Sequence, residues 1–344
     1  MIKEIKVNNK KIGKNHPTFI IAEIGANHNR DKRTAKRLID RAADAKVDAV
    51  KFQTYKAEKI YSKKTPKFKR DSQKPFELIK SIELPVSWYG ELKEYANEKG
   101  LDFFSSPFDN DSVDELEKIK VQIYKIASFE IVDLDLIKYV AKKQKPIMIS
   151  TGMASLEEIQ DAVNTVQSTG NKKIILLQCT SLYPTKPELV NLNAIRTLEK
   201  KFGLPVGLSD HSMGIHIPIA AVAMGACVIE KHFTLDRKMK GPDHSFAVEP
   251  DELKRLAEYI RDIEKAKGDG EKKVSEQEKE ENYEKARRSI IAKQDISLGT
   301  IITEHMLVIK RPGYGIKPKF KNHVVGKKAK KDIKEDDWIT WDMV

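Results

Sequence analysis

The chain's 344 residues and 39.2 kDa leave room for two domains, one of them large. Hydrophobic residues at 40% and charged residues at 33% exclude a fibre and a disordered tail. A net charge of +12 leaves three readings open: nucleic acid, an anionic small substrate, or a Lys-rich surface. In chain order, Ile2-Lys3-Glu4-Ile5-Lys6-Val7 alternates and then meets Asn8-Asn9, which predicts an N-terminal hairpin within residues 1–17. The segment is charged from residue 3 and lacks an apolar signal core, so a cytoplasmic protein is expected. The uncharged run Ser212–Ile229 holds Gly214, Pro218 and Gly225, which suits a buried helix and strand better than a membrane span.

From 18 to 267 one phrase recurs: a β-branched run, a polar turn, then apolar residues three and four apart. The predicted strands are Phe19–Ile24, Ala49–Gln53, Asp102–Ser105, Ile123–Ala127, Ile147–Ser150, Ile174–Cys179, Val206–Leu208 and Cys227–Lys231. The predicted helices are Thr34–Ala45, Trp88–Lys99, Ser112–Ile119, Leu134–Lys142, Leu156–Gln167, Leu192–Lys201, Ile217–Met224 and Pro250–Ala266, with Asp31 and Ser155 as N-caps. Eight such units predict an α/β fold of the closed (β/α)8 TIM-barrel type, its floor plugged by the hairpin. A doubly wound sheet is the fallback, without a Gly-rich dinucleotide turn after the first strand. Residues 268–286 read as a polar, partly helical linker. Residues 287–344 read as a small domain of short elements, including Ser289–Ala292 and a Gly/Pro-rich turn over 311–318. That domain carries 13 Lys/Arg against 7 Asp/Glu, half of the whole excess. Cys179 and Cys227 each lie in an apolar run and read as buried free thiols.

In a barrel the chemistry collects at the C-terminal ends of the strands. The polar residues expected there are Glu23, Lys51, Gln53, Lys125, Ser128, Ser150, Ser181, Tyr183, Ser209, Asp210, His211, Glu230 and His232. Any single Ser or Thr could serve a helix cap or a structural network, but a ring of Lys, Glu and His would cost too much without a ligand. Lys51, Lys125 and Lys231 with Ser128, Ser150 and Ser209 offer cations and hydroxyl donors at one rim, which suits a phosphate together with a carboxylate. A Schiff-base lysine is the competing chemistry. His211 and His232 end adjacent strands, so both imidazoles can face one divalent metal, Mn²⁺ or Mg²⁺. One core His and one loop His is the competing account. His28 and His244 stay undecided.

The segments 19–28 (FIIAEIGANH), 48–54 (DAVKFQT), 124–130 (YKIASFE), 150–154 (STGMA), 207–212 (GLSDHS), 228–236 (VIEKHFTLD) and 241–244 (GPDH) together resemble the N-acetylneuraminate (sialic acid) synthase family. Residues 287–290 and 310–316 look like that family's C-terminal antifreeze-like (SAF) domain. The resemblance implies a transferase that condenses phosphoenolpyruvate with an N-acetylhexosamine, N-acetylmannosamine as leading candidate, releasing phosphate by C–O cleavage. It implies His211 and His232 as ligands of Mn²⁺ or Mg²⁺. Lys51, Lys125, Ser128, Ser150, Ser181, Tyr183 and Ser209 would hold phosphoenolpyruvate, and Glu23, Gln53 and Asp243 would orient the sugar. Glu230 would steer water or stabilise a cation at C2. It also implies a homodimer in which Arg311 of the partner subunit contacts the N-acetyl group. Ser181 stands where sialic acid members often carry Asn, and related members make legionaminic or pseudaminic acid, or act in spore-coat polysaccharide synthesis.

Two rivals remain. A metal-free aldolase would use Lys125 or Lys51 as a Schiff base. A nucleic-acid module on residues 287–344 is disfavoured, because its basic residues are not interleaved with aromatic stacking platforms.

Overall fold

A computed structural model describes residues 4–67 and 73–344 and divides into two compact units, Met1–Gly268 and Asp269–Val344. Ile2 and Lys3 of the expected hairpin lie outside the described residues. The first unit opens with antiparallel strands β1 (Glu4–Val7) and β2 (Lys10–Gly13), joined through Asn8 at φ 49°. Asparagine tolerates that left-handed turn geometry.

Eight parallel strands then close a barrel: β3 (Phe19–Gly25), β4 (Ala49–Thr54), β5 (Asp102–Pro107), β6 (Tyr124–Ile126), β7 (Ile147–Ser150), β8 (Ile174–Cys179), β9 (Val206–Asp210) and β10 (Val228–His232). β10 pairs with β3, Val228 opposite Phe19, and so completes the ring. The outer layer is α1 (Lys32–Asp44), short helices α2 (Ala57–Ile60) and α3 (Pro75–Ser81), then α4 (Tyr89–Glu98), α5 (Asn110–Lys118), α6 (Leu134–Ala141), α7 (Leu156–Ser168), α8 (Ala194–Phe202), α9 (His216–Ala223) and α10 (Pro250–Ala266). Asp31 caps α1 by accepting from Arg33 N at 2.9 Å, and Ser155 forms a capping box with Glu158 at α7.

Strand alternation sorts the side chains into two cores. Outward residues such as Ile20, Val50, Phe103, Ile149, Leu208 and Ile229 pack with the helices. Inward residues at the lower ends, among them Phe19, Ile21, Phe104, Met148, Ile175 and Val228, pack with Ile5, Val7 and Ile12 of the hairpin. The hairpin thus packs against the inward side chains at the lower end of the barrel.

Six strands end differently from expectation, five running one or two residues further and β6 stopping one residue short. β9 continues through Ser209 and Asp210, because partners on β10 satisfy both polar side chains. β6 is shorter, with Ser105 opposite Tyr124 as its pairing to β5.

In the second unit a short turn at Glu276–Glu278 precedes β11 (Ser289–Ala292), which pairs antiparallel with β12 (Leu307–Lys310). Ile290, Ile296, Ile302, Ile316, Ile333 and Ile339 fill its small core. Cys179 and Cys227 are buried free thiols. Among the described residues no helix is long and apolar enough to cross a membrane.

Candidate active site

The alternation that seals the barrel floor turns charged one step higher. On β3, Ile21 is followed inward by Glu23; on β4, Ala49 by Lys51 and Gln53; on β6, Ile123 by Lys125; on β10, Val228 by Glu230 and His232. Glu23, Lys51, Lys125 and Glu230 are all less than 5% exposed. Removing four charges from water is costly, so each must be paired or reserved for a ligand.

The pairing is a linked chain. Glu23 Oε2 lies 2.8 Å from Lys51 Nζ, which is 3.7 Å from Glu230 Oε2, and Glu230 Oε1 is 3.4 Å from Lys125 Nζ. Ser209 Oγ donates to Glu230 at 2.9 Å, and Lys51 reaches Ser106 Oγ at 3.3 Å. Burial, reinforced by Glu230 and opposed by Lys51, pushes the Glu23 carboxyl up to about 7. Burial would raise Glu230 as well, but Lys125 and Lys51 outweigh it and hold it below its ordinary value. Burial lowers Lys125, with Lys51 adding to the effect against the pull of Glu230. For Lys51 burial is outweighed by Glu23 and Glu230, which raise it. With burial pushing Glu23 towards its neutral form, the cluster is biased towards positive charge and suits an anion.

Hydroxyl donors converge beside it. Ser128 Oγ accepts from Gly152 N at 3.0 Å, and Ser150 Oγ and Ser181 Oγ are buried without a protein partner. A Cβ on Gly152 would collide with Ser181 Oγ and lie 2.8 Å from Ser128 Oγ, so glycine leaves these hydroxyls one shared space. Buried hydroxyls are normally bonded, and these two point to oxygen atoms of a ligand.

A second cluster sits at Gly25, which turns at φ 50° where the β3–β4 register shifts. Atoms of Glu23, Gln53 and Asp243 surround the place its Cβ would occupy, at 3.1–3.2 Å. Gln53 Nε2 donates to Glu23 Oε1 at 2.8 Å. The loop carrying Asp243 is fastened by Asn27 to Phe233 O at 2.9 Å, by Asn29 to Lys240 O at 3.0 Å, and by His244 to Asn29 Oδ1 at 3.1 Å. His244 also meets Thr234 at 2.6 Å, and His28 accepts from Arg30 N at 2.9 Å. These bonds give His28 and His244 structural work.

His211 and His232 do come together, with ring centroids 5.3 Å apart and the Tyr183 ring 4.3 Å from His211, tilted at 45° to it. His211 Nδ1 is 2.9 Å from Thr180 O. A carbonyl only accepts, so Nδ1 carries a proton and Nε2 is the nitrogen left to ligate once the ring is neutral; burial would lower His211, but Cys179 outweighs it and raises it above its ordinary value. His232 Nδ1 is buried without a hydrogen-bond partner and lies 3.8 Å from Asp243 Oδ2. Burial, and then the cations around it, hold His232 well below its ordinary value, in the neutral ligating form. Among the described residues no group of three or more His, Cys, Asp or Glu converges as a metal cage. A cation held here would complete its shell with water or substrate oxygens, as a site with open positions requires.

Several placements correct or extend the sequence reading. Lys231, expected at the anion rim, faces the other side of the sheet and is bound to Asp210, because it alternates with Glu230 and His232. Arg311 is exposed at the end of β12 in the second unit. Glu130, not among the predicted site residues, is half-buried on the turn after β6, and burial, opposed by Lys125, pushes it up to about 7. Its signal was only its place two residues after Ser128. Cys179 Sγ, 3.8 Å from His211 Nδ1, was also missed; its inward parity on β8 was the available clue.

Comparison with known proteins identifies the family. The NeuB family model matches residues 38–272, and the SAF domain model matches residues 287–344. The chain is 46% identical over 330 residues to N,N'-diacetyllegionaminic acid synthase of Campylobacter jejuni, covering 94% of this chain and 98% of that protein. It is 38% identical over 340 residues to human N-acetylneuraminate-9-phosphate synthase, covering 97% and 94%. The crystal structure of N-acetylneuraminic acid synthetase from Leptospira borgpetersenii superposes with a TM-score of 0.74 at 41% identity, over 81% of this chain and 94% of that one.

Proposed function

Because the chain belongs to the NeuB family and ends in a SAF domain, we propose that it condenses phosphoenolpyruvate with an N-acetylated hexosamine to give a nonulosonic acid and phosphate. The observation that carries this reading is the pair of unpartnered serine hydroxyls beside two buried lysines. Lys51 and Lys125 neutralise the phosphate and carboxylate, and Ser128, Ser150 and Ser181 donate to their oxygens, while Ser209 keeps its hydroxyl on Glu230. Glu23, Gln53 and Asp243 orient the sugar, with Tyr183 flanking the histidines. His211 and His232 fit Mn²⁺ or Mg²⁺ by their free nitrogens, and such an ion would supply Lewis-acid polarisation of the aldehyde oxygen.

Enol C3 forms a bond to the aldehyde carbon, whose oxygen takes up a proton, and positive charge develops at C2. Water adds at C2 and loses a proton, and the tetrahedral centre collapses to the ketone as the C2–O bond to phosphate breaks. Glu230, held ionised by Lys125 and Lys51, stabilises the charge at C2 and steers that water. The lead substrate is N-acetylmannosamine. The 46% identity to a legionaminic acid synthase favours a 2,4-diacetamido-trideoxyhexose as the second reading.

The enzyme works as a homodimer in which Arg311 of the partner subunit contacts the N-acetyl group. Exposed Phe129, Val132, Met153, Leu182, Leu189 and Met213, on loops after β6 to β9, supply an apolar rim for it. Two buried thiols suit a reducing cytoplasm.

The test is phosphate release from phosphoenolpyruvate with Mn²⁺ and a panel of N-acetylated hexosamines. Release with one sugar is expected; silence across the panel overturns the reading. Trapping of pyruvate on Lys125 or Lys51 by borohydride would instead establish the aldolase.

A further inference from the structure

We propose that Asp210, Ser212 and Lys231 form a buried clamp that positions His211 and His232 for a shared divalent cation. This rests on the metal reading above. The two histidines project inward from the ends of β9 and β10, but the backbone ladder between these strands ends at Lys231 opposite Asp210. Beyond that pair no backbone hydrogen bond of the β9–β10 ladder fixes the distance between the rings.

The clamp closes at that level, on the outer face. Lys231 Nζ lies 2.5 Å from Asp210 Oδ2 and also donates to the Ser212 carbonyl. Asp210 in turn accepts from Ser212 N at 3.0 Å through Oδ1 and from Ser212 Oγ at 3.0 Å through Oδ2. Residue 211 is thus enclosed in a loop whose two flanks are tied to one side chain of the neighbouring strand, the residue between Glu230 and His232. Thr185 N holds the His211 carbonyl at 2.9 Å from another direction.

Stability does not explain this arrangement. Asp210 and Lys231 are 2% and 1% exposed, and a buried ion pair is often no better than an apolar pair of similar volume. One step down the same strands the outward positions are Leu208 and Ile229, opposite each other and packed in the outer core. Charge replaces hydrocarbon at the level of the histidines. Outer partners that orient metal ligands commonly set affinity by 10–100-fold.

The experiment titrates metal-stripped protein with Mn²⁺ in the absence of substrates, reading free Mn²⁺ by electron paramagnetic resonance, alongside thermal melting. Asp210→Asn/Lys231→Met removes both charges together and is expected to melt near the parent while binding Mn²⁺ about 10–100-fold more weakly. Ser212→Ala removes one buried hydroxyl while Lys231 still holds Asp210 Oδ2, and is expected to weaken Mn²⁺ about three- to tenfold. Parental affinity in either variant, once folded, overturns the clamp. His211→Ala separates the two readings: if it binds Mn²⁺ as the parent does, or if the parent binds none, the metal reading falls and the clamp with it.

Discussion

The floor and the mouth of the barrel are made by the same eight strands two or three residues apart, yet they obey opposite rules. The floor is closed by Ile5, Val7 and Ile12 against Phe19, Ile21, Met148 and Ile175, with no charge among them. The mouth holds Glu23, Lys51, Lys125 and Glu230 at comparable burial. Burial alone therefore says nothing about role. What separates the regions is whether the buried atoms have found partners: the floor is saturated by packing, whereas the mouth keeps Ser150 Oγ, Ser181 Oγ and His232 Nδ1 without any.

The contrast can be broken from either side. Ile12→Ala should cost about 2–5 kcal/mol in urea unfolding while leaving kcat of the folded fraction at the parental value. A fall in kcat without a fall in stability would mean that the plug takes part in chemistry. Lys125→Met should lower kcat/KM about 10²–10³-fold, as loss of one preorganised charge does, in steady-state assays of phosphate release. Ser150→Ala should raise KM for phosphoenolpyruvate about tenfold yet melt no lower than the parent, since the hydroxyl it removes has no protein partner.

The smallest effect is in pH. Glu23 is raised from 4.5 to about 7 by burial, so the folded state holds its proton more tightly than the unfolded chain does. Its stabilising contribution is complete below 4.5 and is lost as pH rises through 7. Glu23→Gln should flatten the stability–pH curve in that window, and an unchanged slope would show that Glu23 stays ionised throughout.

The sequence carried the barrel because period-two strands and amphipathic helices are local signals, and the eight strand positions needed changes only at their ends. It carried the mouth because polar residues at the ends of β-branched runs have few structural uses. It failed where parity or irregular backbone decides. Lys231 was grouped with the anion-binding cations although Ile229 and Lys231 share the outward parity of β10. Glu130 rides a turn with no period to reveal it. Asp210 was expected with the polar residues at the mouth, whereas its outward partner Lys231 is a contact between residues 21 apart that no local pattern carries.

The plugged floor also dictates traffic. Lys51 lies deeper than Gln53, which follows it on the same strand one inward step nearer the opening. The hairpin packs across the bottom, so a sugar seated on Gln53 and Asp243 would lie over the anion site on the side of the mouth. On the proposed function, phosphoenolpyruvate would then bind first and phosphate would leave after the sugar acid, a compulsory order that product-inhibition patterns would test.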